Sequence, residues 1–338
     1  LAPKVTSFIA SQFPPDEQER LNAIPDVFTR ALASLASAGG ETAPAPAEAS
    51  MAFPGSGYYV MRSGWEPKQA AYLYYDLTPQ SLGHAHSDAS HVEFYAYGKP
   101  LLTDTGDYFL GWGYRTALHN AIEVDGAQQE RGPKAPMLPC DWVSTPAFDL
   151  VDGAHGAFAD RGVMQRRKAL FIKTGYVVLC DLLAAHDEHT YEQFFHVAGP
   201  TQQAGAMAVI DPATLAARSD HPGVANVMVI PAGTDGLQAG FAEAQDSTMP
   251  IEEKFERKAM LGWIVTTGTF QRARSAVAVY QRQGRGPQAF HDVLFPVPAH
   301  GQAEVTVEAL PVRRGEAAEA AFQAAGMAPT VIAYSEVY

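Results

Sequence analysis

The stretch "GHAHSDASHVEFYAYG", residues 83–98, places three histidines and an aspartate next to an alternating run of apolar residues. Residues 90–98 are aromatic and β-branched and end at glycine, which is typical of a strand. A strand projects alternate side chains to the same side, so we expect His84 and His86 to point together. Two imidazoles on one side suit either a metal ion or a half-exposed polar strand, and this stretch alone leaves both interpretations open.

Segments of the same kind recur along the chain and are separated by Gly, Pro and Asp. They are 57–65, 70–77, 119–126, 166–173, 175–183, 190–199, 225–233, 260–270, 275–283, 303–312 and 330–338. About a dozen such strands, with few helical stretches between them, predict a mainly β fold of stacked antiparallel sheets, that is, a β-sandwich.

The N-terminal part has a different pattern. Within residues 1–37 apolar residues recur at three- and four-residue steps, which indicates short helices, and Pro25 divides them. The following Pro-, Ala- and Gly-rich segment has no apolar periodicity and is typical of a linker. We therefore divide the chain into a helical segment 1–37, a linker 38–50, a first antiparallel sheet region 51–200 with the metal and active site, and a second sheet region 201–338 that completes the sandwich.

Composition argues against some classes of function. The 338 residues carry a net charge of −13, which argues against nucleic-acid binding and requires a locally positive site for any polyanion. No uninterrupted apolar run reaches the roughly 18 residues of a membrane span. The two cysteines, Cys140 and Cys180, are too few for a disulfide framework; two buried thiols are the favoured interpretation, and pairing is left open.

Two residues further along extend the histidine motif. Asp104 ends the apolar run that begins at residue 99, and His119 opens a later strand segment. Two histidines and a carboxylate from separate strands that meet at one sheet edge form a suitable ligand set for Zn²⁺. The alternative is that Asp104 is a turn residue and His119 is a polar group at the end of a strand.

Three short motifs follow one another in a specific order: His-x-His-x-Asp at 84–88, Leu-x-Asp-x-Gly at 102–106 and His-Asn at 119–120. With them, roughly residues 50–300 resemble the C-terminal sheet domain of the heparinase II/III-like polysaccharide lyases, which include heparinase II and several exolytic alginate lyases. The resemblance implies that an (α/α) toroid precedes the sheet domain, with the substrate cleft between the two. Residues 1–37 would correspond only to the toroid's last helices, so a helical partner domain or chain is expected.

The resemblance also implies roles for individual residues. His86, Asp104 and His119 would bind zinc, and His84 would face the substrate. The implied reaction is β-elimination at a uronic acid, in which the sugar carboxylate is neutralised, the C5 proton is removed and the leaving 4-oxygen is protonated.

A tyrosine is the usual base or acid in such lyases, and two lie between Asp104 and His119. Tyr114 is preferred because it adjoins Arg115, whose charge would lower the tyrosine pKa. Tyr108 is the second choice, and we assign it, with Arg115, to substrate binding.

The resulting prediction is the zinc-containing sheet portion of a polysaccharide lyase that acts on an anionic polysaccharide or oligosaccharide, such as alginate or a glycosaminoglycan. A bacterial periplasmic or secreted location is expected, and a homodimer is considered. Two alternatives stay open: a non-catalytic carbohydrate-binding β-sandwich with structural zinc, and a cupin-like metalloenzyme. The cupin spacing matches poorly, because Asn120 follows His119 directly.

Overall fold

The computed structural model describes a set of segments that begins at residue 49. They are residues 49–78, 85–105, 115–132, 138, 140–201, 206–242, 261–266, 271–301, 303–309, 318–324 and 330–334. Contacts within the chain separate Leu1–Ala49 from Ser50–Tyr338, and the description below concerns the second unit. The predicted helical segment 1–37 and nearly all of the linker lie outside the described residues.

Antiparallel strands make up most of the described chain. In order they are β1 (Met51–Phe53), β2 (Tyr58–Arg62), β3 (Ala71–Asp76), β4 (His91–Ala96), β5 (Lys99–Leu102), β6 (Ile122–Val124), β7 (Asp141–Ser144), β8 (Phe148–Phe158), β9 (Val163–Ile172), β10 (Tyr176–Ala184), β11 (Glu188–His196), β12 (Ala208–Ile210), β13 (Ala217–Ser219), β14 (Asn226–Pro231), β15 (Leu237–Ala242), β16 (Trp263–Thr266), β17 (Gln271–Arg274), β18 (Val277–Arg285), β19 (Gln288–Val297), β20 (Val305–Ala309), β21 (Ala318–Ala324) and β22 (Thr330–Tyr334). Two single 3₁₀ turns, Thr116–Leu118 and Ala159–Arg161, interrupt them. The predicted mainly β fold is confirmed. Among the described residues, no helix is long and apolar enough to cross a bilayer.

The strands form three principal sheets. β1 to β5 make a five-stranded meander, an eight-stranded sheet has the order β12-β13-β14-β19-β10-β9-β8-β7, and a four-stranded sheet has the order β15-β18-β11-β6. Two smaller sheets pair β16 with β17 and β20 with β21 and β22. The eight- and four-stranded sheets each take strands from both sides of residue 200. The boundary drawn there between regions 51–200 and 201–338 therefore does not separate one sheet from another.

One apolar cluster is shared by the three principal sheets. Its largest side chains include Tyr59, Leu73 and Phe94 from the five-stranded sheet, Phe171 and Leu179 from the eight-stranded sheet, and Tyr191, Phe195 and Tyr280 from the four-stranded sheet. A second cluster covers the opposite face of β10 with Tyr176, Val178 and Cys180, which explains why that strand is apolar on both sides. Cys140 and Cys180 both remain thiols.

A tight turn at Tyr97 and Gly98 joins the end of β4 to the start of β5. Tyr97 and Gly98 both have positive φ values, 54° and 82°, as a two-residue hairpin turn of the type favoured by strand twist requires. At its far end β5 meets the four-stranded sheet, because the Thr103 amide donates to the His196 carbonyl at 3.0 Å. Thr103, the residue after β5, therefore links the five-stranded sheet to the four-stranded sheet.

A buried ion pair connects the eight-stranded sheet to the segments before β4 and β6. The Arg167 guanidinium and the Asp181 carboxylate are both fully buried and form two bonds, Nε to Oδ1 at 2.7 Å and Nη2 to Oδ2 at 2.8 Å. The remaining nitrogen, Nη1, donates to the carbonyls of Ser90 and Asn120, each at 2.7 Å. One side chain thus holds the segment before β4 and the segment before β6.

We predict that Asp181→Asn destabilises the protein by about 3–5 kcal/mol, because it leaves the buried Arg167 charge without its counter-charge. The measurement is the free energy of unfolding in urea. The matched control is Asp187→Asn, which removes the partner of Arg285 in a pair whose side chains are 80% and 71% exposed. That change is expected to cost about 0–1 kcal/mol. Equal losses in the two variants would contradict the role given to Arg167.

Candidate metal centre

The loop between β3 and β4 is fixed at several points. The Gln129 side chain binds Ala89 twice, accepting from its amide at 2.8 Å and donating to its carbonyl at 3.0 Å. Arg131 donates to the Ala85 carbonyl at 2.8 Å. Ser90 has a φ of 68°, and its amide donates to the backbone carbonyl of Asp76 at 2.8 Å. These contacts hold the backbone of residues 85–90 and fix where its side chains can lie.

Three side chains converge where this loop meets the segment after the first 3₁₀ turn. The ligand atoms of His86, Asp88 and His119 all lie within 4.8 Å of one another. The rings of His86 and His119 have centroids 5.3 Å apart. His119 is fully buried, whereas His86 and Asp88 are partly exposed. Imidazole nitrogens and carboxylate oxygens at this spacing are donors that suit zinc.

Asp104 supplies a second carboxylate at the same place. Its Oδ2 atom lies 3.1 Å from Nδ1 of His119. Two ligand atoms of a tetrahedral zinc, each at about 2.0–2.1 Å from the ion, are about 3.3 Å apart. The observed separation therefore suits either a carboxylate–imidazole hydrogen bond or two neighbouring ligands of one ion.

Asn120 joins the strands that surround this cluster. Its backbone amide donates to Nδ1 of His91 at 2.9 Å, and its side-chain amide donates to the carbonyls of Val92 at 2.7 Å and Thr103 at 3.2 Å. Its side-chain oxygen accepts from the His196 amide at 2.6 Å. Asn120 is fully buried, and these bonds tie β4, the end of β5 and β11 to the residue after His119.

His91 is held in one tautomer by Asn120. Because Nδ1 accepts a hydrogen bond, the neutral ring carries its hydrogen on Nε2. Nε2 faces the carboxylates of Glu93 and Asp104, each at 4.0 Å. In this form His91 carries a hydrogen on Nε2, but 4.0 Å is too long for a hydrogen bond to either carboxylate.

Burial shifts the charges of the cluster towards neutrality. It raises the pKa of Asp88 to about 6, partly offset by His119, and it also raises the pKa of Asp76 and Glu93. Burial, followed by the neighbouring His119, lowers the pKa of His86. The cluster therefore holds imidazoles with available electron pairs and partly buried carboxylates, and a divalent cation would favour the ionised form of those carboxylates.

His119 therefore lies next to both His86 and Asp104. These are the three residues that were assigned to zinc in the sequence analysis. Arg115, assigned to substrate, lies close by and is one-quarter exposed; its Nε lies 3.2 Å from Glu123 Oε1, and a terminal nitrogen donates to the Gly126 carbonyl at 2.9 Å. Those bonds fix the start of the 3₁₀ turn, and contact of Arg115 with a substrate stays a prediction. The other assigned residues, His84, Tyr108 and Tyr114, lie outside the described residues.

Asp88, His91 and Asn120 were not assigned to the site from the sequence. Asp88 had a visible signal, since it stands two residues after His86 in the opening motif. The strand begins only at His91, so Asp88 reaches the cluster from a loop and not through strand alternation. The roles of His91 and Asn120 depend on a bond across 29 residues, which local spacing does not reveal.

Comparison with known proteins gives one family and one fold. A family model described as "Heparinase II/III-like, C-terminal" matches residues 45–306. Heparan sulfate lyase HepC from Pedobacter heparinus superposes with a TM-score of 0.72 at 16% identity, over 98% of this chain and 49% of that one. A heparinase III gene product gives 0.71 at 16% identity, over 95% and 48%. No curated protein matches in sequence. The chain therefore shares the fold of these lyases and spans about half of their length.

His196 is a fully buried histidine whose protonation is expected to affect the free energy of unfolding. Its Nε2 donates to the Ala117 carbonyl at 2.9 Å, and its buried Nδ1 has no hydrogen-bond partner in the described part of the chain. Burial lowers the pKa of His196 to about 4. A proton on Nδ1 would therefore be a buried charge without an acceptor.

We predict that His196→Gln reduces the loss of stability on acidification. The unfolded histidine binds a proton near pH 6.5 and the folded one only near pH 4, so wild-type stability falls as the pH drops between these values. The glutamine variant lacks this contribution, on the order of 2 kcal/mol. The measurement is the unfolding free energy of both proteins at pH 7 and pH 4.5. If the difference in unfolding free energy between wild type and variant is no smaller at pH 4.5 than at pH 7, the assignment is contradicted.

Proposed function

Because the chain belongs to the heparinase II/III-like family, we propose that it is the sheet portion of a polysaccharide lyase that cleaves a uronic-acid-containing chain by β-elimination. The observation that carries the proposal is the convergence of His86, Asp88, Asp104 and His119 at one sheet edge. These side chains come from three separate segments, so their proximity depends on the fold and not on local sequence.

We propose that His86, Asp104 and His119 hold a zinc ion. The donor set of two nitrogens and a carboxylate oxygen fits zinc, and the 3.1 Å between Asp104 and His119 fits two ligands of one ion. Zinc at this place would supply positive charge close to the substrate carboxylate. Asp88 adds a nearby carboxylate.

The chain's own residues would neutralise the sugar carboxylate and carry one of the two proton transfers, and the helical part would supply the group for the other. His84, two residues before His86, is proposed to donate to the sugar carboxylate, which makes the C5 proton more acidic. Tyr114 is proposed to move a proton at C5 or at the 4-oxygen, with Tyr108 as the second candidate. Support comes from Arg115, which adjoins Tyr114 and is anchored by Glu123 and Gly126 next to His119.

The proposed enzyme includes a helical part beyond this sheet domain. The chain spans about half of the heparinases that it matches, and its 37 Asp and Glu outnumber its 24 Lys and Arg. We propose that a helical toroid domain or chain supplies further substrate contacts. Because its substrate would be a polymer outside the cell, we propose a periplasmic or secreted location.

We predict that zinc binding depends on His86, Asp104 and His119. His86→Ala, Asp104→Asn and His119→Ala are each expected to lower zinc affinity by more than about 100-fold, since loss of an outer partner alone costs about 10–100-fold. Zinc content by atomic emission and competition with a chromophoric chelator provide the measurement.

Two further variants sharpen this metal test. His189→Ala is the control, because His189 also bonds a carboxylate, Asp125 at 2.8 Å, in a pair that lacks a second histidine; it is expected to keep wild-type affinity. Asp88→Asn should cost less than Asp104→Asn. The reverse order would make Asp88 the third ligand, and wild-type affinity in all variants would reject the zinc site.

We also predict that the chain, together with its helical part and incubated with alginate or heparan sulfate, releases saccharides with an unsaturated uronate at the new end. The ultraviolet absorbance of that double bond gives the rate, and mass spectrometry gives the product. His84→Ala should lower the rate by about 10²–10³-fold, the range for loss of one donor to a developing negative charge. A hydrolysis product, with water added, would contradict β-elimination. Binding without turnover would instead favour a non-catalytic carbohydrate-binding module.

A further inference from the structure

A second concave surface lies on the outer face of the five-stranded sheet, on the side away from the shared core. The cleft has a volume of about 670 Å³. Its floor is made of outward-facing side chains of β2, β3 and β4 and the turn after β2, among them Arg62, Trp65, Tyr72, Tyr74, Glu93 and Tyr95. Most of these residues are aromatic, and none of them is a proposed zinc ligand.

Two cations line this cleft, Arg62 and Lys99; the Lys99 ammonium donates to the Gly199 carbonyl at 3.0 Å, and Arg62 lies over aromatic rings. Its guanidinium carbon lies 4.7 Å from the ring centroid of Trp65 and 4.4 Å from that of Tyr72. The side chain is half-buried, and burial lowers its pKa. Within the described part of the chain, no carboxylate lies within ion-pair distance of its guanidinium. A cation held between two aromatic faces without an acidic partner is suited to bind an external carboxylate in a fork geometry.

The tyrosines next to Arg62 form a flat, amphipathic floor. Arg62, Tyr72 and Tyr95 occupy one cross-strand row, and the rings of the two tyrosines have centroids 5.5 Å apart. The Tyr95 hydroxyl donates to Glu93 at 3.0 Å. An aromatic face beside an oriented carboxylate acceptor matches a pyranose ring, which has an apolar C–H face and a rim of hydroxyls.

The cleft and the candidate metal centre lie on the same strands. Asp76 pairs with His91 beside the metal centre, whereas Tyr72 pairs with Tyr95 in the cleft. Tyr72 and Asp76 are four positions apart, which corresponds to about 13 Å at the rise of an antiparallel strand. Glu93 lies between them, because it lines the cleft and its Oε1 is 4.0 Å from Nε2 of His91. The cleft therefore continues from the metal centre along the strands and suits an oligosaccharide that extends from one to the other.

We propose that this cleft is a distal subsite that binds a uronic-acid residue of the glycan chain, with the sugar carboxylate on Arg62 and the ring on Tyr72 and Tyr95. This inference rests on the proposed function for the identity of the glycan. The subsite adds affinity for longer chains and takes no part in bond cleavage.

The test compares the binding of a hexasaccharide of uronic acids with the same hexasaccharide after reduction of its carboxyls to alcohols. Hexamers from alginate and from heparan sulfate serve as separate arms, and binding is measured by calorimetry. The wild-type chain should bind the acidic form at least about tenfold more tightly. Arg62→Gln should remove most of that preference, and Tyr95→Ala should weaken both forms. If only the heparan sulfate arm shows the Arg62 effect, the ligand class narrows to glycosaminoglycans.

Arg274→Gln is the matched control, since Arg274 also lies over an aromatic ring, Trp263 at 5.4 Å, outside the cleft. It should keep the wild-type preference. Equal effects of the Arg62 and Arg274 variants, or a wild-type chain that does not distinguish the two hexasaccharides, would overturn the subsite. Arg62-dependent binding without turnover would support the subsite and reject the lyase, whereas turnover without Arg62-dependent binding would do the opposite.

Discussion

The buried pair of Arg167 and Asp181 is the interaction on which the geometry of the candidate site depends. Removing two charges from water costs several kcal/mol each, and attraction between them offsets this cost only if the remaining donors are also satisfied. The guanidinium meets this condition by placing Nη1 on the carbonyls of Ser90 and Asn120. Those carbonyls belong to the segments that carry His86 and His119. The rigid fork of one arginine therefore sets the distance between the two halves of the site.

Asn120 extends this constraint from the eight-stranded sheet to the other two. Its side-chain amide has two donor hydrogens and an acceptor oxygen, and it uses them on Val92, Thr103 and His196. An aspartate of the same shape would lose both donors and add a charge beside Asp104. The amide side chain of Asn120 thus connects the sheets without adding negative charge to the carboxylates of the cluster. His119, the residue before it, stays buried.

Local pattern predicted the strands with continuous or alternating apolar residues but missed strands with polar residues at inner positions. Segment 175–183 was expected as a strand, and β10 is Tyr176–Ala184, a run buried on both faces. By contrast β19 was not expected, because His291 and Asp292 interrupt its pattern; Asp292 is buried and accepts from Gln193 at 2.8 Å. The candidate site divides in the same way: the motifs indicated the imidazoles, whereas the bonds of Asn120 exist only in the folded chain.

The strongly acidic chain and an anionic substrate are compatible because charge acts locally. At physiological ionic strength the Debye length is about 8 Å, so exposed carboxylates elsewhere on the surface are largely screened from a bound sugar acid. The groups that decide binding are those within a few ångströms and partly removed from water, where screening is weak. Arg62 between its two rings is such a group. At the metal centre, Asp88 and Asp104 would repel a sugar carboxylate by themselves, and a divalent ion among them would reverse the sign of that local field. The net charge of −13 is therefore compatible with the proposed anionic substrate, provided that positive charge acts locally at these two sites.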